Sequence, residues 1–354
     1  MASGDNQSNV VIFRIGSIGD TVVALPCFHA IARAFPRHRR ILLTNTVDST
    51  RQSSVETLLD GTRLIDATLR FPAGGGTWRN YVTLARQLRA LQPEFLVHLT
   101  PRTTAAQVYR DLLFFRAAGI RNVIGAPTSA RMRECNLDAG TSELEHEAER
   151  LKRILAPAVA VDLNRPGWDL RLSAIEKRTA ERHLSGLPAW RPIVAVAPGA
   201  RVAAKDWGED RWQALIALLQ QRLPAVSLVF VGAPDELLLA QRLAAQWSGT
   251  TLNLCGQLTP RESAAVLARC HLLLCHDSGP MHLAASQNTR CIALFGDFNR
   301  PRQWFPYGDA HTVIYQPDGV RAITAEQVSE AVEIAVLAIA GDIAPSLDWV
   351  DTAG

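Results

Sequence analysis

Four short segments of the sequence carry residue types that could do chemistry, and the first is residues 14–20, RIGSIGD. Gly16 and Gly19 allow a tight turn and a close approach of a ligand to the backbone. Asp20 stands where a helix should begin, so its carboxylate could take a proton from a hydroxyl nucleophile. Asp is also a favoured N-cap residue, so a purely structural cap is the alternative interpretation. The turn lacks the GxGxxG spacing of dinucleotide-binding proteins, which disfavours an oxidoreductase.

The second segment, residues 197–207, contains Arg201 and Lys205. Lys205 is one of only three lysines in the chain. A cation beside a glycine turn and ahead of a helix suits contact with a phosphate, and Arg201 could assist it. The alternative is a solvated loop cation, the usual place of a lysine.

The third segment, residues 275–284, leads from an apolar run into a helix. Pro280 fits the first helical turn, where a missing N–H costs nothing, and Asp277 is a good capping type. The start of this helix would attract an anion through its dipole and three free N–H groups, those of Ser278, Gly279 and Met281. A capped helix without a ligand is the alternative, and His282 could equally be a packed core histidine.

The fourth segment, residues 231–236, places Asp235 and Glu236 after a predicted strand. Either carboxylate could accept hydrogen bonds from ribose hydroxyls. The simpler interpretation is an acid in the first turn of a helix, where the helix dipole favours negative charge.

One cluster of potential metal ligands is better explained as core. Cys270-His271 and Cys275-His276 flank the apolar run 272–274, which is typical of a buried strand containing reduced cysteine. The spacing of a zinc site is missing, so we expect neither a metal nor another cofactor.

These segments must be positioned by the elements around them, and the sequence alternates strands with helices twice. Predicted strands lie near residues 10–13, 41–43, 67–71, 95–99 and 122–124, and again near 193–197, 226–231, 252–254, 271–275 and 291–295. Helical periodicity covers residues 21–35, 81–91, 105–118 and 145–155, and then 212–222, 235–247, 261–268, 280–286 and 325–340. The pattern predicts two doubly wound α/β domains facing a central cleft, with ligands at the carboxyl ends of the strands.

The composition and the apolar runs of the chain indicate which class of protein it belongs to. The 354 residues are 47% hydrophobic, a globular composition of two-domain length. No apolar run is long enough to span a membrane, and the polar first nine residues predict no signal peptide. Six scattered cysteines fit a reducing cytosol.

The charge is unevenly distributed along the chain. Residues 1–172 hold 22 Lys and Arg against 16 Asp and Glu, a net charge of +6, whereas residues 173–354 hold 15 against 18, a net charge of −3. A basic first half could face an anionic partner such as an acidic glycolipid or a membrane surface, with Arg63, Arg102 and Arg110 as candidates for contact. Arginines that serve only solubility are the alternative.

Taken together, the four segments resemble the bacterial lipopolysaccharide heptosyltransferase family, the ADP-heptose-dependent glycosyltransferases of GT-B fold. The resemblance extends from residue 10 to about residue 316. It is carried by residues 14–26 (RIGSIGDTVVALP), 198–201 (PGAR) with 205–207 (KDW) and 211–212 (RW), and 277–284 (DSGPMHLA) followed by 294–296 (LFG).

The resemblance implies an inverting, metal-independent transfer of a heptose from ADP-heptose to a hydroxyl of a lipopolysaccharide-core-type acceptor. It implies an acceptor-binding domain over residues 1–172, a domain for the nucleotide-sugar donor over residues 173–325, and a final helix and tail over residues 326–354. In the family pattern Asp20 matches the catalytic base and Lys205 matches the lysine on the donor phosphates.

The same resemblance assigns the remaining site residues. Asp277 matches an acid near the donor sugar, and Ser278 and Gly279 match backbone contacts to the diphosphate. Glu236 matches the acid that binds the ribose. The substrate-binding set is completed by Gly19, Arg201, Pro280, Met281 and His282.

Two alternatives to this function stay open. Some family members have adjacent hydroxyl residues where this chain has Ala200-Arg201, so another nucleotide sugar or a protein acceptor is one alternative. A non-catalytic nucleotide-sugar-binding subunit is the other, and the presence of both Asp20 and Lys205 argues against it. We expect a cytoplasmic protein with peripheral membrane contact and no nucleic-acid partner.

Overall fold

The computed structural model describes residues 8–45, 55–72, 77–101, 104–140, 143–223 and 225–343. The chain divides into two compact units, Met1–Arg171 and Leu172–Gly354. Each unit is a parallel α/β sheet covered by helices, so the predicted fold class is confirmed.

The first unit is built on a five-stranded sheet. Its strands are β1 (Asn9–Phe13), β2 (Arg39–Asn45), β3 (Ala67–Phe71), β4 (Phe95–His98) and β5 (Val123–Ile124). All pairs are parallel, in the order β3-β2-β1-β4-β5. Its helices are α1 (Ile18–Val23), α2 (Leu25–Ala34), α3 (Val55–Leu59), α4 (Trp78–Leu91), α5 (Ala105–Ala117), α6 (Ala130–Arg133) and α7 (Glu147–Leu155).

Strand β1 lies at the centre of this sheet because its apolar run can be buried on both faces. Phe13 is fully buried, with its ring centroid 4.9 Å from that of Phe71 and 5.1 Å from that of Phe115. Leu84 and Leu88 of α4 join the same cluster, so α4 and α5 cover one face of the sheet. The chain order reverses between β1 and β4, and the turn after β1 therefore opens at the point where such sheets usually bind ligands.

The second unit repeats the plan with six strands. They are β6 (Ile193–Ala197), β7 (Ser227–Phe230), β8 (Thr251–Asn253), β9 (Leu272–His276), β10 (Arg290–Phe295) and β11 (Thr312–Tyr315). All pairs are parallel, in the order β11-β10-β9-β6-β7-β8, so the reversal falls between β6 and β9. Its helices are α8 (Ala174–Leu184), α9 (Glu209–Arg222), α10 (Leu237–Ala244), α11 (Pro260–Leu267), α12 (Gly279–Ser286) and α13 (Ala325–Ile343).

The last helix is part of the core of the second unit. Val328, Val332 and Val336 are buried at the four-residue spacing of one helix face, in the same cluster as Trp207 and Trp212. Helix α13 packs with α9, and the tail of the predicted division, from residue 344 onward, lies outside the described residues. Among the described residues, no helix has the length and apolar character that crossing a bilayer requires.

The helix predicted over residues 21–35 differs most from the structure. Helix α1 already begins at Ile18, and α2 begins at Leu25 after a break at Ala24. Pro26 explains the break, because it has no N–H to donate to the preceding turn. The prediction also lacked α3, α6, α8 and β11, and the helix predicted over 235–247 is a short 3-10 turn followed by α10.

Candidate active site

The turn after β1 holds Asp20 in the first turn of α1. Ser17 is the N-cap, and Asp20 occupies the third helical position, not the cap position that the sequence suggested. One carboxylate oxygen of Asp20 accepts hydrogen bonds from the Ser17 backbone N–H at 2.7 Å and from the Ser17 hydroxyl at 2.6 Å. This reciprocal capping box fixes the carboxylate and leaves Asp20 partly exposed.

Gly16 is required by the position of that carboxylate. A Cβ atom on residue 16 would lie 2.7 Å from the Cβ of Asp20 and 2.9 Å from its carboxylate oxygen. Gly19 is buried within the first turn of α1. Gly16 therefore serves the placement of Asp20 as well as the turn itself.

Arg14 is the functional residue of this turn that the sequence analysis missed. Its side chain is fully buried, donates to the carbonyl of Leu99 at 2.6 Å and donates to the backbone carbonyl of Asp20. Its guanidinium lies 3.8 Å from the Asp20 carboxylate. Burial lowers the pKa of Arg14 from its usual value while Asp20 opposes that effect, and an arginine stays charged in either case. Arg14 thus positions Asp20 from the interior; the available signal was a charged residue at the end of a buried strand.

In the second unit, Lys205 and Asp277 meet as an ion pair. Lys205 Nζ lies 2.6 Å from Asp277 Oδ2, and both side chains are mostly buried. Asn299 donates to the same carboxylate oxygen, and Lys205 Nζ also lies 4.8 Å from the centroid of the Phe298 ring. The structure therefore brings together two residues that the sequence predicted for one site, and adds two from the loop after β10.

His276 connects the loops that carry this pair. Its Nε2 accepts a hydrogen bond from the Trp207 backbone N–H at 3.1 Å, and its Nδ1 lies 3.3 Å from the carbonyl of Gly199. These partners require the neutral ring with its proton on Nδ1. Burial lowers the pKa of His276 to about 4, so the ring stays neutral near pH 7. The sequence analysis had considered His276 only as a rejected metal ligand.

Glu236 lies against the glycine turns that follow β6 and β7. A Cβ atom on Gly199 would lie 2.1 Å from the Glu236 carboxyl carbon, and one on Gly232 would lie 1.8 Å from a carboxylate oxygen. The carboxylate accepts a hydrogen bond from the Ala233 N–H at 3.0 Å. Burial raises the pKa of Glu236 to about 7, and Asp235 adds to the effect. The carboxyl group is thus close to the loop of Lys205.

Helix α12 begins beside the ion pair. Ser278 is at the N-cap position, but its hydroxyl donates to the carbonyl of His276 at 3.3 Å and makes no capping hydrogen bond to the helix. Gly279 and Pro280 form the first turn. The N–H groups at this helix start therefore have no side-chain cap, as an anion site requires.

The remaining predicted residues differ in exposure. Met281 and His282 are buried, and the His282 ring packs edge-to-face against Trp304 at 6.5 Å, which favours the packing interpretation of that histidine. Arg201 is exposed in the loop after β6 and forms no ion pair with a described residue.

Comparison with known sequences decides the family. The sequence model of glycosyltransferase family 9 (heptosyltransferase) matches residues 81–331, more than two thirds of the chain. The chain belongs to glycosyltransferase family 9. The resemblance inferred from its motifs is therefore confirmed.

Curated relatives in this family match over part of their lengths. Lipooligosaccharide heptosyltransferase 2 of Haemophilus influenzae is 33% identical over 42% of this chain and 42% of the relative. Lipopolysaccharide core heptosyltransferase OpsX of the same species is 24% identical over 45% of each. Lipopolysaccharide heptosyltransferase 3 of Escherichia coli is 26% identical over 63% of this chain and 65% of the relative. The chain thus aligns with roughly half the length of these relatives.

Solved structures of the family share the fold. A family 9 glycosyltransferase from Veillonella parvula superposes with a TM-score of 0.72 at 20% identity, covering 96% of this chain and 100% of that one. ADP-heptose lipopolysaccharide heptosyltransferase II of E. coli gives 0.66 at 18% identity, covering 94% and 99%. At these identities the likeness concerns the fold.

The raised pKa of Glu236 predicts a pH-dependent stability in this family 9 protein. A folded-state pKa of about 7, above the ordinary 4.5, means that this group's contribution to stability is full below pH 4.5 and lost as the pH rises through 7. Glu236→Gln removes the cost of ionisation, so the variant should gain about 1–3 kcal/mol over wild type between pH 5 and pH 8. Thermal unfolding at a series of pH values measures the difference.

The matched control for this prediction is Glu262→Gln. Glu262 also accepts a backbone hydrogen bond three residues back, from Thr259 N–H at 2.9 Å, but at the start of α11. The contribution of His276 to the stability of the fold has the opposite pH dependence, because it is lost as the pH falls from 6.5 towards 4. This contribution is the same in wild type and in the two variants. A Glu236→Gln curve parallel to that of wild type from pH 5 to pH 8 would refute the prediction.

Proposed function

We propose that this protein is an inverting, metal-independent heptosyltransferase that moves a heptose from ADP-heptose to a hydroxyl of a lipopolysaccharide-core-type acceptor. The observation that carries the proposal is the group of Lys205, Asp277, Glu236 and the uncapped start of α12 around the carboxyl ends of β6, β7 and β9. This group combines a cation, an anion-binding helix start and a carboxyl group, which are the partners that a nucleoside diphosphate sugar needs. Membership of family 9 supports the choice of sugar.

The donor would occupy the second unit. Lys205 and the N–H groups at the start of α12 bind the diphosphate, with Arg201 free to turn towards it from its exposed loop. Glu236 accepts hydrogen bonds from the ribose hydroxyls beside Gly199. E. coli heptosyltransferase WaaC, solved with ADP and with ADP-2-deoxy-2-fluoro heptose, has the same fold at a TM-score of 0.63 and 18% identity, which supports an ADP-sugar here.

The first unit would supply the catalytic base and bind the acceptor. An acceptor hydroxyl attacks the anomeric carbon, the bond from that carbon to the diphosphate oxygen breaks, and the hydroxyl proton passes to Asp20. Attack opposite to the leaving group inverts the configuration of the sugar carbon. The leaving diphosphate gains negative charge, and the Lys205 ammonium with the helix start offsets it without a metal ion.

A cytoplasmic site of action follows from the same proposal. All six cysteines are free thiols, as a reducing compartment maintains them. The acceptor class is an anionic glycolipid, which would be presented at the inner face of a membrane.

The decisive experiment pairs a donor screen with product analysis. Thermal stabilisation by ADP-, UDP- and GDP-sugars identifies the nucleotide, because a ligand that binds the folded state raises its unfolding temperature. Mass spectrometry then detects a heptose added to a lipopolysaccharide-core acceptor. Stabilisation by a UDP- or GDP-sugar alone would show that the donor is not ADP-heptose. This outcome is tested because Ala200-Arg201 stand where some family members have adjacent hydroxyl residues. Binding of ADP-heptose without turnover on any acceptor would favour a non-catalytic subunit.

A further inference from the structure

Helices α4 and α5 form a continuous outer face on the first unit. The Tyr81 and Phe114 rings pack edge-to-face with centroids 5.7 Å apart, and an Arg89 guanidinium nitrogen donates to the carbonyl of Ala117 at 2.6 Å. These contacts hold the helices side by side over the sheet. Their opposite sides face away from the core, and we call the residues there the α4–α5 face: Trp78, Arg79, Val82, Arg86, Arg89, Tyr109, Arg110, Leu113 and Arg116.

The charge of this face is almost entirely positive. The two helices contain five arginines and a single acid, Asp111, which is buried. Arg110 is tied to Asp111 at 3.0 Å. Arg79, Arg86 and Arg116 are exposed and pair with no acid among the described residues. The face therefore presents uncompensated positive charge to its surroundings.

Large apolar side chains stand among these arginines. Trp78 is 71% exposed, Leu113 69% and Tyr109 54%. Trp78 and Val82 are one helical turn apart, as are Tyr109 and Leu113, so each pair projects from the outer side of its helix. The Arg79 guanidinium lies 5.8 Å from the centroid of the Trp78 ring. Exposed aromatic and aliphatic groups interleaved with arginine are the composition of a surface that meets the boundary between lipid headgroups and acyl chains.

We propose that the α4–α5 face docks on an anionic phospholipid bilayer. Arginines bind the headgroup phosphates, and Trp78, Tyr109 and Leu113 insert at the level of the headgroups. The proposal deepens the proposed function, because a bilayer is where a glycolipid acceptor would be found. Of the arginines named from sequence, Arg110 lies on this face, Arg63 lies in the loop between α3 and β3, and Arg102 lies outside the described residues.

Vesicle flotation of the whole protein tests the proposal without donor or acceptor. Wild type should float with vesicles of phosphatidylcholine and phosphatidylglycerol, stay behind with phosphatidylcholine alone, and detach as salt rises. Each arginine near an anionic surface contributes about 1 kcal/mol, so replacing Arg79, Arg86 and Arg116 together with Gln should lower the partition coefficient about 100-fold. Gln keeps helix propensity, and the unfolding temperature verifies the fold.

The matched control replaces Lys177, Arg178 and Arg182 with Gln. These are exposed cations of α8 in the second unit, so the control removes the same three charges from another surface. It should bind within about threefold of wild type, since attraction to the surface acts within a Debye length. Equal losses in the two triple variants would show that net charge alone drives binding and would overturn the proposal.

Three other results would also overturn it. One is full binding by the Arg79, Arg86 and Arg116 variant, and another is no flotation of wild type with anionic vesicles. The third is a wild-type dimer in sedimentation that the same variant breaks, because the face would then be covered by a second copy. The proposed nucleotide site lies in the second unit, so failure here leaves the donor screen unaffected.

Discussion

Replacing Asp20 with Asn should lower kcat by a factor of about 10²–10⁴ while leaving donor affinity nearly unchanged, the scale of a lost general base. Asn has the same shape as Asp and cannot accept a proton at neutral pH. Its side-chain oxygen can still accept the hydrogen bond that Ser17 N–H now gives to the carboxylate at 2.7 Å. The helix should therefore form as before, and the loss should appear in turnover.

A second capping box provides the control for Asp20. In α7 the Glu149 carboxylate accepts from the His146 N–H at 3.0 Å, in the arrangement that Asp20 has with Ser17. Glu149→Gln neutralises an acid at the same helical position, in the same unit but on a different helix. It should keep wild-type kcat and a wild-type unfolding temperature. Near-normal turnover by Asp20→Asn, or equal losses in the two variants, would mean that Asp20 only stabilises its helix.

The fold could be predicted closely because both sheets are made of short apolar strands between periodic helices. Strands at residues 67–71 and 193–197 have the predicted limits, since turn residues bound them on both sides. The errors arose where one residue interrupts a longer helical pattern, or where a strand is short and lies at the edge of its sheet. Pro26 was placed inside one long helix, although its missing N–H divides that helix in two. Strand β11 (TVIY) was missed although its β-branched and aromatic residues favour a strand; it is only four residues long and lies at the edge of its sheet, half-buried.

The candidate site could be predicted as a set of residues but not as a set of contacts. Turns after β6 and β9 were expected to carry Lys205 and Asp277, since neighbouring parallel strands end at one edge of a sheet. The ion pair between them spans 72 positions of sequence and depends on the side chains of that edge. His276 gave no local signal at all: its ring is fixed by two backbone groups of a distant loop.

The ion pair also alters what Lys205 can do for a ligand. Lys205 Nζ is 2.6 Å from Asp277, so a diphosphate must compete with the carboxylate for the ammonium group. Loss of Lys205 should weaken ADP binding by about 1–3 kcal/mol, the scale of a charge-assisted hydrogen bond. Because of the competition, the measured loss is the free energy of the ammonium–diphosphate contact minus that of the ammonium–carboxylate contact which it replaces. Removing the Asp277 charge should then reveal the full contribution of Lys205.

A double-mutant cycle on ADP affinity tests this competition. Asp277→Asn should tighten ADP about 5–30-fold, because it frees Lys205 and removes a negative charge beside the diphosphate. Lys205→Ala should cost more in the Asp277→Asn protein than in wild type, with a coupling above about 0.5 kcal/mol. Calorimetry with ADP measures all four affinities, and the absence of a sugar from ADP keeps any contact between Asp277 and the donor sugar out of the comparison.

Lys177→Ala is the matched control for the lost lysine. Lys177 is exposed on α8 of the same unit, so its removal changes the net charge by the same amount without touching the turn after β6. ADP affinity should stay at the wild-type value in this control. Unchanged affinity in Lys205→Ala would make Lys205 an ordinary loop cation. Weaker ADP binding by Asp277→Asn would contradict the competition. It would show instead that the Asp277 carboxylate holds the Lys205 ammonium group in the position from which it binds the diphosphate.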